Sequence, residues 1–311
     1  MSAIVATRAH AVRRALSLDA DAYHSLAFAR IEDDAIWTRE WICIGVDEDI
    51  VGVGDLLPFT AGDHAVHVQR LAGGRLAGRF NLAQHGGCRV VPLQCRQGAK
   101  TSCSFTSCGH SRDRPPLLAD DANASSQERY QYLGLRPERL LSVRVAESGP
   151  LLFVHLNPVG GVFQAHPAQT LSSDTAARQG NEWLEIEGNW KHIGQRIAAG
   201  KIQPADTDRC ASFNSIDGTI SASWFFPNLI ILKHAGSTCV VVLQPIALQR
   251  TVCRISVYGA DSMSRWRDLL LQRCASRYSH ADQSDSRRWF ETTLDARIAH
   301  RMDLSLNGDD A

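Results

Sequence analysis

The sequence has no charge of either sign to spare. Lys plus Arg and Asp plus Glu stand at 33 each across 311 residues, so no basic field points to nucleic acid or an anionic membrane. Long apolar runs are missing as well. LIIL at 229–232 and CVVVL at 239–243 have strand length and fall far short of a bilayer span. The first residues, MSAIVATRAHAVRRALSLDADAY, mix small, basic and polar types without an apolar stretch of secretory-signal length. The nine cysteines are odd in number and come with no such signal. Free thiols or a metal site in a reducing compartment are therefore expected in place of a disulfide framework. Also missing are G-x-S-x-G, a P-loop, H-E-x-x-H and a dinucleotide fingerprint. A soluble cytoplasmic protein with no nucleic-acid or membrane partner is expected.

What is present divides into two textures. Helices are expected over 3–17 and 21–40, the second reading DAYHSLAFARIEDDAIWTRE. From Trp41 short β-type runs follow, WICIGV, DLLPFTAGDH, AVHVQRL and GRLAGRF, with Gly73-Gly74 as a hairpin turn. LLSVRVAESGPLLFVHLNP reads as two more strands about a Gly-Pro turn, and 159–180 as a linker. EWLEIEGNWKHIGQRIAAG passes from strand to helix near Trp190. Strands are then expected in TISASWFFPN, LIILKHAG, STCVVVLQPI and RTVCRISVYGA, and helix from Ser264 to about Met302. The fold class is α+β, with a small all-β unit over 41–157 and an α+β unit built from 1–40 and 158–311.

The stretch NLAQHGGCRVVPLQCRQGAKTSCSFTSCGHS, 81–111, is the densest in sulfur and imidazole. Cys88, Cys95, Cys103 and Cys108 lie there with His85 and His110, a density suited to zinc or an iron–sulfur cluster. No C-x2-C pair accompanies them, and buried cysteines also serve as small apolar residues. Spacing alone leaves both readings open. Elsewhere His64 and His67 fall on opposite faces of a strand. His24, His64, His67 and His234 have no convergent carboxylates in the sequence, and Glu185 and Glu187 alternate toward solvent.

The order of features adds a resemblance. Trp37 and Trp41 enter the β unit, GRLAGRFNLAQHGG follows a hairpin, and CSFT comes after His85 with 86–102 between. GPLLFVHLNP, GNWK at 188–191 and WFFPNLIIL follow. In this order the chain resembles the α subunit of Rieske-type ring-hydroxylating oxygenases over about 20–157 and 181–260. The resemblance implies a small Rieske-like β domain at 41–157. The rest would be a helix-grip domain, an antiparallel sheet with a long C-terminal helix. The family reads N-x-C-x-H and then C-x-x-H. Here Asn81 fits, the first cysteine position holds Ala83, His85 and Cys103 match, and the last histidine position holds Thr106. A Rieske [2Fe–2S] centre takes two thiolates and two imidazoles, so His85 and Cys103 are remnant ligands. Cys88, Cys108 and His110 could substitute only through a rebuilt loop. The cofactor expectation is none, with [2Fe–2S] or zinc as the alternative.

The resemblance further implies a mononuclear iron held by two histidines and a carboxylate on and after the helix that follows N-W-K. This chain offers His192 directly after that motif and no second histidine within it or the residues up to 231. Asp206 and Asp208 have no histidine three residues on, Asp282 and Asp285 lie on the C-terminal helix where a third ligand could come from but make no facial triad alone, and His192 reads as a helix-surface residue. No catalytic residue is assigned. The function expected first is a non-catalytic Rieske oxygenase-like subunit, in a hetero-oligomer with a catalytic oxygenase α subunit or as a homotrimer. The second is an oxygenase with a rearranged metal site, and the third a small-ligand-binding protein.

Overall fold

A computed structural model describes residues 20–80, 141–165, 177–203, 207–275 and 284–307. The chain divides into one unit over Trp41–Gln164 and another made of Met1–Glu40 with Ala165–Ala311.

In the first unit, strands β1 (Ile42–Val46), β2 (Leu56–Ala61), β3 (His64–Arg70), β4 (Leu76–Phe80), β5 (Ser142–Ser148) and β6 (Leu151–His155) form a sheet of order β1-β6-β5-β4-β3-β2. Every pairing is antiparallel. Ile42 and Val46 of β1 pair with Val154 and Leu151 of β6, all buried. Gly73 and Gly74 both take positive φ in the β3–β4 turn, a conformation open to glycine at little cost. At the end of β6, His155 is buried with its ring edge-on to Trp41, and Arg144 lies over that indole.

The second unit begins with two short helices, α1 (Ala20–His24) and α2 (Leu26–Glu32), running into a π-helical turn at Asp33–Trp37. One helix over 21–40 was expected. The break comes at Ser25, whose extended backbone and hydroxyl cap α2 by accepting the Phe28 N–H. Strand β7 (Arg178–Glu187) then leads to helix α3 (Trp190–Ile197), so its start replaces the end of the expected linker. Strands β8 (Lys201–Ile202), β9 (Cys210–Asn214), β10 (Ser221–Phe225), β11 (Leu229–His234), β12 (Ser237–Ala247) and β13 (Arg250–Tyr258) complete a seven-stranded sheet of order β7-β13-β12-β11-β10-β9-β8. The expected C-terminal helix is two helices, α4 (Met263–Ala275) and α5 (Asp285–Asn307).

The middle strands carry the core. Leu229–Leu232 and Cys239–Leu243 are buried throughout, as unbroken apolar runs require when a sheet is covered on both faces. Phe290, Leu294 and Ile298 recur at helical spacing and form the buried stripe of α5. Phe290 stacks on Trp224 of β10 at 4.5 Å between ring centroids and meets the edge of Trp190 at 5.4 Å. Gly194 makes that approach of α3 possible, because a Cβ there would stand 2.6 Å from the Trp224 ring.

The strongest constraint in this unit is a buried ion pair. Lys191 Nζ lies 2.7 Å from Glu32 Oε1, and both side chains are at most 3% exposed. Tyr23, Phe28 and Trp190 place their rings within 5.3 to 5.8 Å of the ammonium. Burial pushes the Glu32 carboxyl up and the Lys191 ammonium down, and each charge opposes the other's shift. Removing one partner leaves the other charge buried and unpaired, which costs about 3–5 kcal/mol. Lys191→Met is therefore expected to lower urea stability by that amount. The double variant Glu32→Leu/Lys191→Met should recover most of it. Equal losses in the single and double variants would show that the pairing is not the source of the cost.

Candidate functional site

The residues after β7 build the region where the resemblance implies a mononuclear iron site. Asn189 is the N-cap of α3: its Oδ1 accepts the Lys191 N–H at 3.1 Å, and its Nδ2 donates to the carbonyls of Tyr23 and Leu248 at 3.0 Å each. Trp190 fills the space between Trp37 and Phe290, and Lys191 turns to Glu32. All three residues of the N-W-K motif are thus spent on joining α3 to α1, α2 and the sheet.

His192, the next residue, lies flat on Tyr23, with ring centroids 3.8 Å apart and planes 4° from parallel. The sequence suggested a surface residue; the structure makes it half-buried. Burial, reinforced by Arg196, Arg287, Lys191 and His24, lowers its pKa from 6.5 to about 4. The Tyr23 hydroxyl donates to Glu291 Oε1 at 2.6 Å and accepts from Gln195 Nε2 at 2.9 Å. Arg287 closes this network by donating to the same Glu291 oxygen at 2.7 Å. Burial and the carboxylate both raise the phenol's pKa, so it stays protonated.

Beyond α3 the chain runs straight into the sheet edge. Ser286 at the start of α5 donates to the Gln195 carbonyl, and Asp285 Oδ2 accepts the Ile202 N–H at 3.1 Å. Asp285 also faces Arg288 at 3.6 Å. Asp208 pairs with Arg297 at 3.0 Å, and Arg297 reaches Glu40 at 2.7 Å. The Trp289 indole N–H donates to the Thr207 carbonyl. Ile202, Asp208, Asp285, Trp289 and Thr293 help line an open cavity of about 400 Å³ between β8, the segment before β9 and α5.

These donors do not fit a two-histidine, one-carboxylate iron site. Described residues of α3, β8, β9 and the start of α5 supply one imidazole, and it is stacked on a phenol. The carboxylates Asp208 and Asp285 are each taken by an arginine, Asp285 by a backbone N–H as well. Among the described residues no group of three or more His, Cys, Asp or Glu converges as a metal site. Asp206 and Asp282 lie outside the described residues. So do His85, Cys103, Cys108 and His110, along with Asn81, Ala83, Cys88, Cys95 and Thr106. Sequence reasoning missed Tyr23, Glu32, Gln195 and Glu291. Their partners lie far off along the chain, 159 positions from Glu32 to Lys191, and no local pattern marks them.

No family model matches the sequence, and no curated protein matches it. Solved structures do. The apo form of the quaternary ammonium Rieske monooxygenase CntA superposes with a TM-score of 0.56 at 13% identity, over 89% of this chain and 92% of that one. CntA with its substrate γ-butyrobetaine gives 0.55 at 13% identity over the same shares. A further structure of a quaternary ammonium Rieske monooxygenase gives 0.52 at 12% identity, over 89% and 84%. The fold is that of the Rieske oxygenases. Within that fold, the N-W-K residues join α3 to its neighbours, Asp285 ties β8 to α5, and Asp208 ties the segment before β9 to α5. Among the described residues no helix is long and apolar enough to cross a membrane.

The depressed pKa of His192 gives a pH dependence with a definite sign. Its folded-state value lies below its unfolded one, so between about pH 6.5 and about pH 4 the unfolded chain binds the extra proton. The contribution of this group is therefore complete above about pH 6.5 and is lost as the pH falls toward about 4. His192→Phe keeps the stack on Tyr23 and removes the titration. Urea midpoints of the variant should fall less than those of the parent chain between about pH 7 and about pH 5. Parallel declines would rule out His192 as the source.

Proposed function

We propose that this chain is a non-catalytic Rieske oxygenase-like subunit that assembles with a catalytic oxygenase α subunit acting on a small organic molecule. The junction of α3, β8 and α5 carries this reading. There His192, Asp208 and Asp285 are engaged in stacking, ion pairs and a backbone hydrogen bond, while the described sheet core beside them is closely packed. One imidazole, His192, does not make a facial triad with Asp208 and Asp285.

The same reading takes 41–157 as a Rieske-like β domain and the remainder as a helix-grip domain of catalytic type. His85 and Cys103 are then remnants of a ligand set, and Cys108 and His110 its candidate substitutes. One solved neighbour, a quaternary ammonium Rieske monooxygenase, is described in terms of inter-subunit electron transfer, which depends on subunits packed side by side. A degenerate copy of that fold could take a ring position and stabilise or shape its neighbour. The cavity beside Trp289 favours a second role, holding a small molecule in the region where the catalytic chemistry has gone.

Co-expression with an intact Rieske α subunit from the same source tests the assembly. Native mass spectrometry should show a mixed oligomer of the two chains, and the partner's substrate turnover should change when this chain is withheld. A chain that stays apart from the α subunit, and consumes oxygen on its own when given a reductase, would overturn the reading.

A further inference from the structure

The first unit closes on a buried histidine that the subunit reading leaves without a role. His155, the last residue of β6, is 2% exposed. The chain leaving it, LNPVGGVFQ over 156–164, carries no charged residue and ends the unit at Gln164. It turns back at once: Asn157 Oδ1 accepts the Val159 N–H at 3.0 Å, and the Asn157 carbonyl accepts the Gly160 N–H at 3.2 Å. That turn lays Gly160 on the imidazole, where a Cβ would run into the ring. Val159 and Val162 are 88% and 78% exposed, so their burial does nothing to hold this strap down.

A few polar and aromatic ties hold it instead. The Asn157 N–H donates to His155 Nδ1 at 3.1 Å, Arg144 Nη1 donates to the Gly160 carbonyl, and the Trp41 indole N–H donates to the Gly161 carbonyl at 3.2 Å. Phe163 meets the edge of Trp41 at 5.1 Å and lies 5.0 Å from Phe153. Trp41, where the unit begins, therefore packs against both His155 and Phe163. Entry and exit of the unit are joined at the imidazole.

A backbone N–H can only donate, so His155 Nδ1 is an acceptor and the neutral ring carries its proton on Nε2. A second proton must go to Nδ1. There it turns the acceptor into a donor facing the Asn157 N–H and puts a positive charge into a buried site. Of the described elements packed on the ring, β5 brings Arg144, directly opposite His155 in the β5–β6 ladder, the start of β1 brings Trp41, and the strap brings no charge. The charged neighbour is thus a cation, which opposes protonation further. Lifting the strap relieves both costs, because it parts the two donors and opens the ring to water. We propose that His155 is an acid-released latch: neutral, it pins 157–163 across the end of β6, and protonated, it lets this strap lift and frees the exit of the unit from Trp41. The proposal is independent of the subunit role.

Hydrogen exchange of the full chain, read by mass spectrometry, tests it. A histidine that takes its proton only when the strap is open, with a free pKa of about 6.5, makes opening about tenfold more favourable for each pH unit below that value. After correction for intrinsic exchange, protection over 157–163 should fall about tenfold or more between about pH 7 and about pH 5, while β1 and β6 keep theirs. His155→Asn keeps an acceptor beside the Asn157 N–H and removes the titration, so its profile should stay level. Ring-nitrogen NMR of the parent chain should place the His155 proton on Nε2 at neutral pH. The parent's own profile and tautomer decide the matter even where the variant is unstable. A level parent profile, an equal fall in a folded His155→Asn, a parallel loss across β1 and β6, or a proton on Nδ1 would each overturn the proposal.

Discussion

The pairing of Lys191 with Glu32 is the constraint on which the second unit depends. A lysine and a glutamate taken fully out of water must meet, and meeting fixes where α2 lies against α3. Once they are placed, the Tyr23 ring covers both the ammonium and His192, and its backbone carbonyl receives the side chains of Asn189 and Gln249. The Tyr23 hydroxyl then reaches Glu291 on α5. One ion pair, one capping asparagine and one tyrosine thus bind α1, α2, α3, α5 and the end of β12 into a single block. A buried pair of this kind adds little net stability over apolar residues of the same size. It does demand a unique arrangement, because any slip leaves a charge without its partner.

That demand accounts for each residue of the N-W-K motif. Asparagine caps, tryptophan packs and lysine pairs, and none of these roles needs a metal. Asp208 and Asp285 are likewise held by protein groups, Asp208 by Arg297 and Asp285 by Arg288 and the Ile202 N–H. The chain has the fold of the Rieske oxygenases, and on the proposed reading that shape is what a neighbouring subunit reads.

Much of the fold was legible because its signals are local. The apolar runs of β11 and β12, the glycine turn between β3 and β4, and the strand-to-helix passage at Trp190 all appear where residue pattern placed them. The antiparallel α+β class followed from them. Strands β8 and β9 were missed for the opposite reason: Lys201–Ile202 is too short to show alternation, and CASFN carries too mixed a pattern. Ser25 did carry a readable signal, a capping serine inside an apparent helix, and it was passed over. The site was harder. Glu32 and Lys191, or His234 and Asp261, are joined only by the folded chain, and nothing in the residues around any one of them names its partner. His192 shows the limit on the other side: its place after N-W-K was plain, but its stack on Tyr23 was not.

On the proposed reading this fold keeps its framework and holds no iron. The measurement that tests it most directly is iron and acid-labile sulfide per chain, on protein purified without oxygen, with a visible spectrum of the same sample. The expected result is neither iron nor sulfide above background and no charge-transfer bands. Two irons and two sulfides per chain, the content of a Rieske cluster, or iron bound beyond that content, would contradict it.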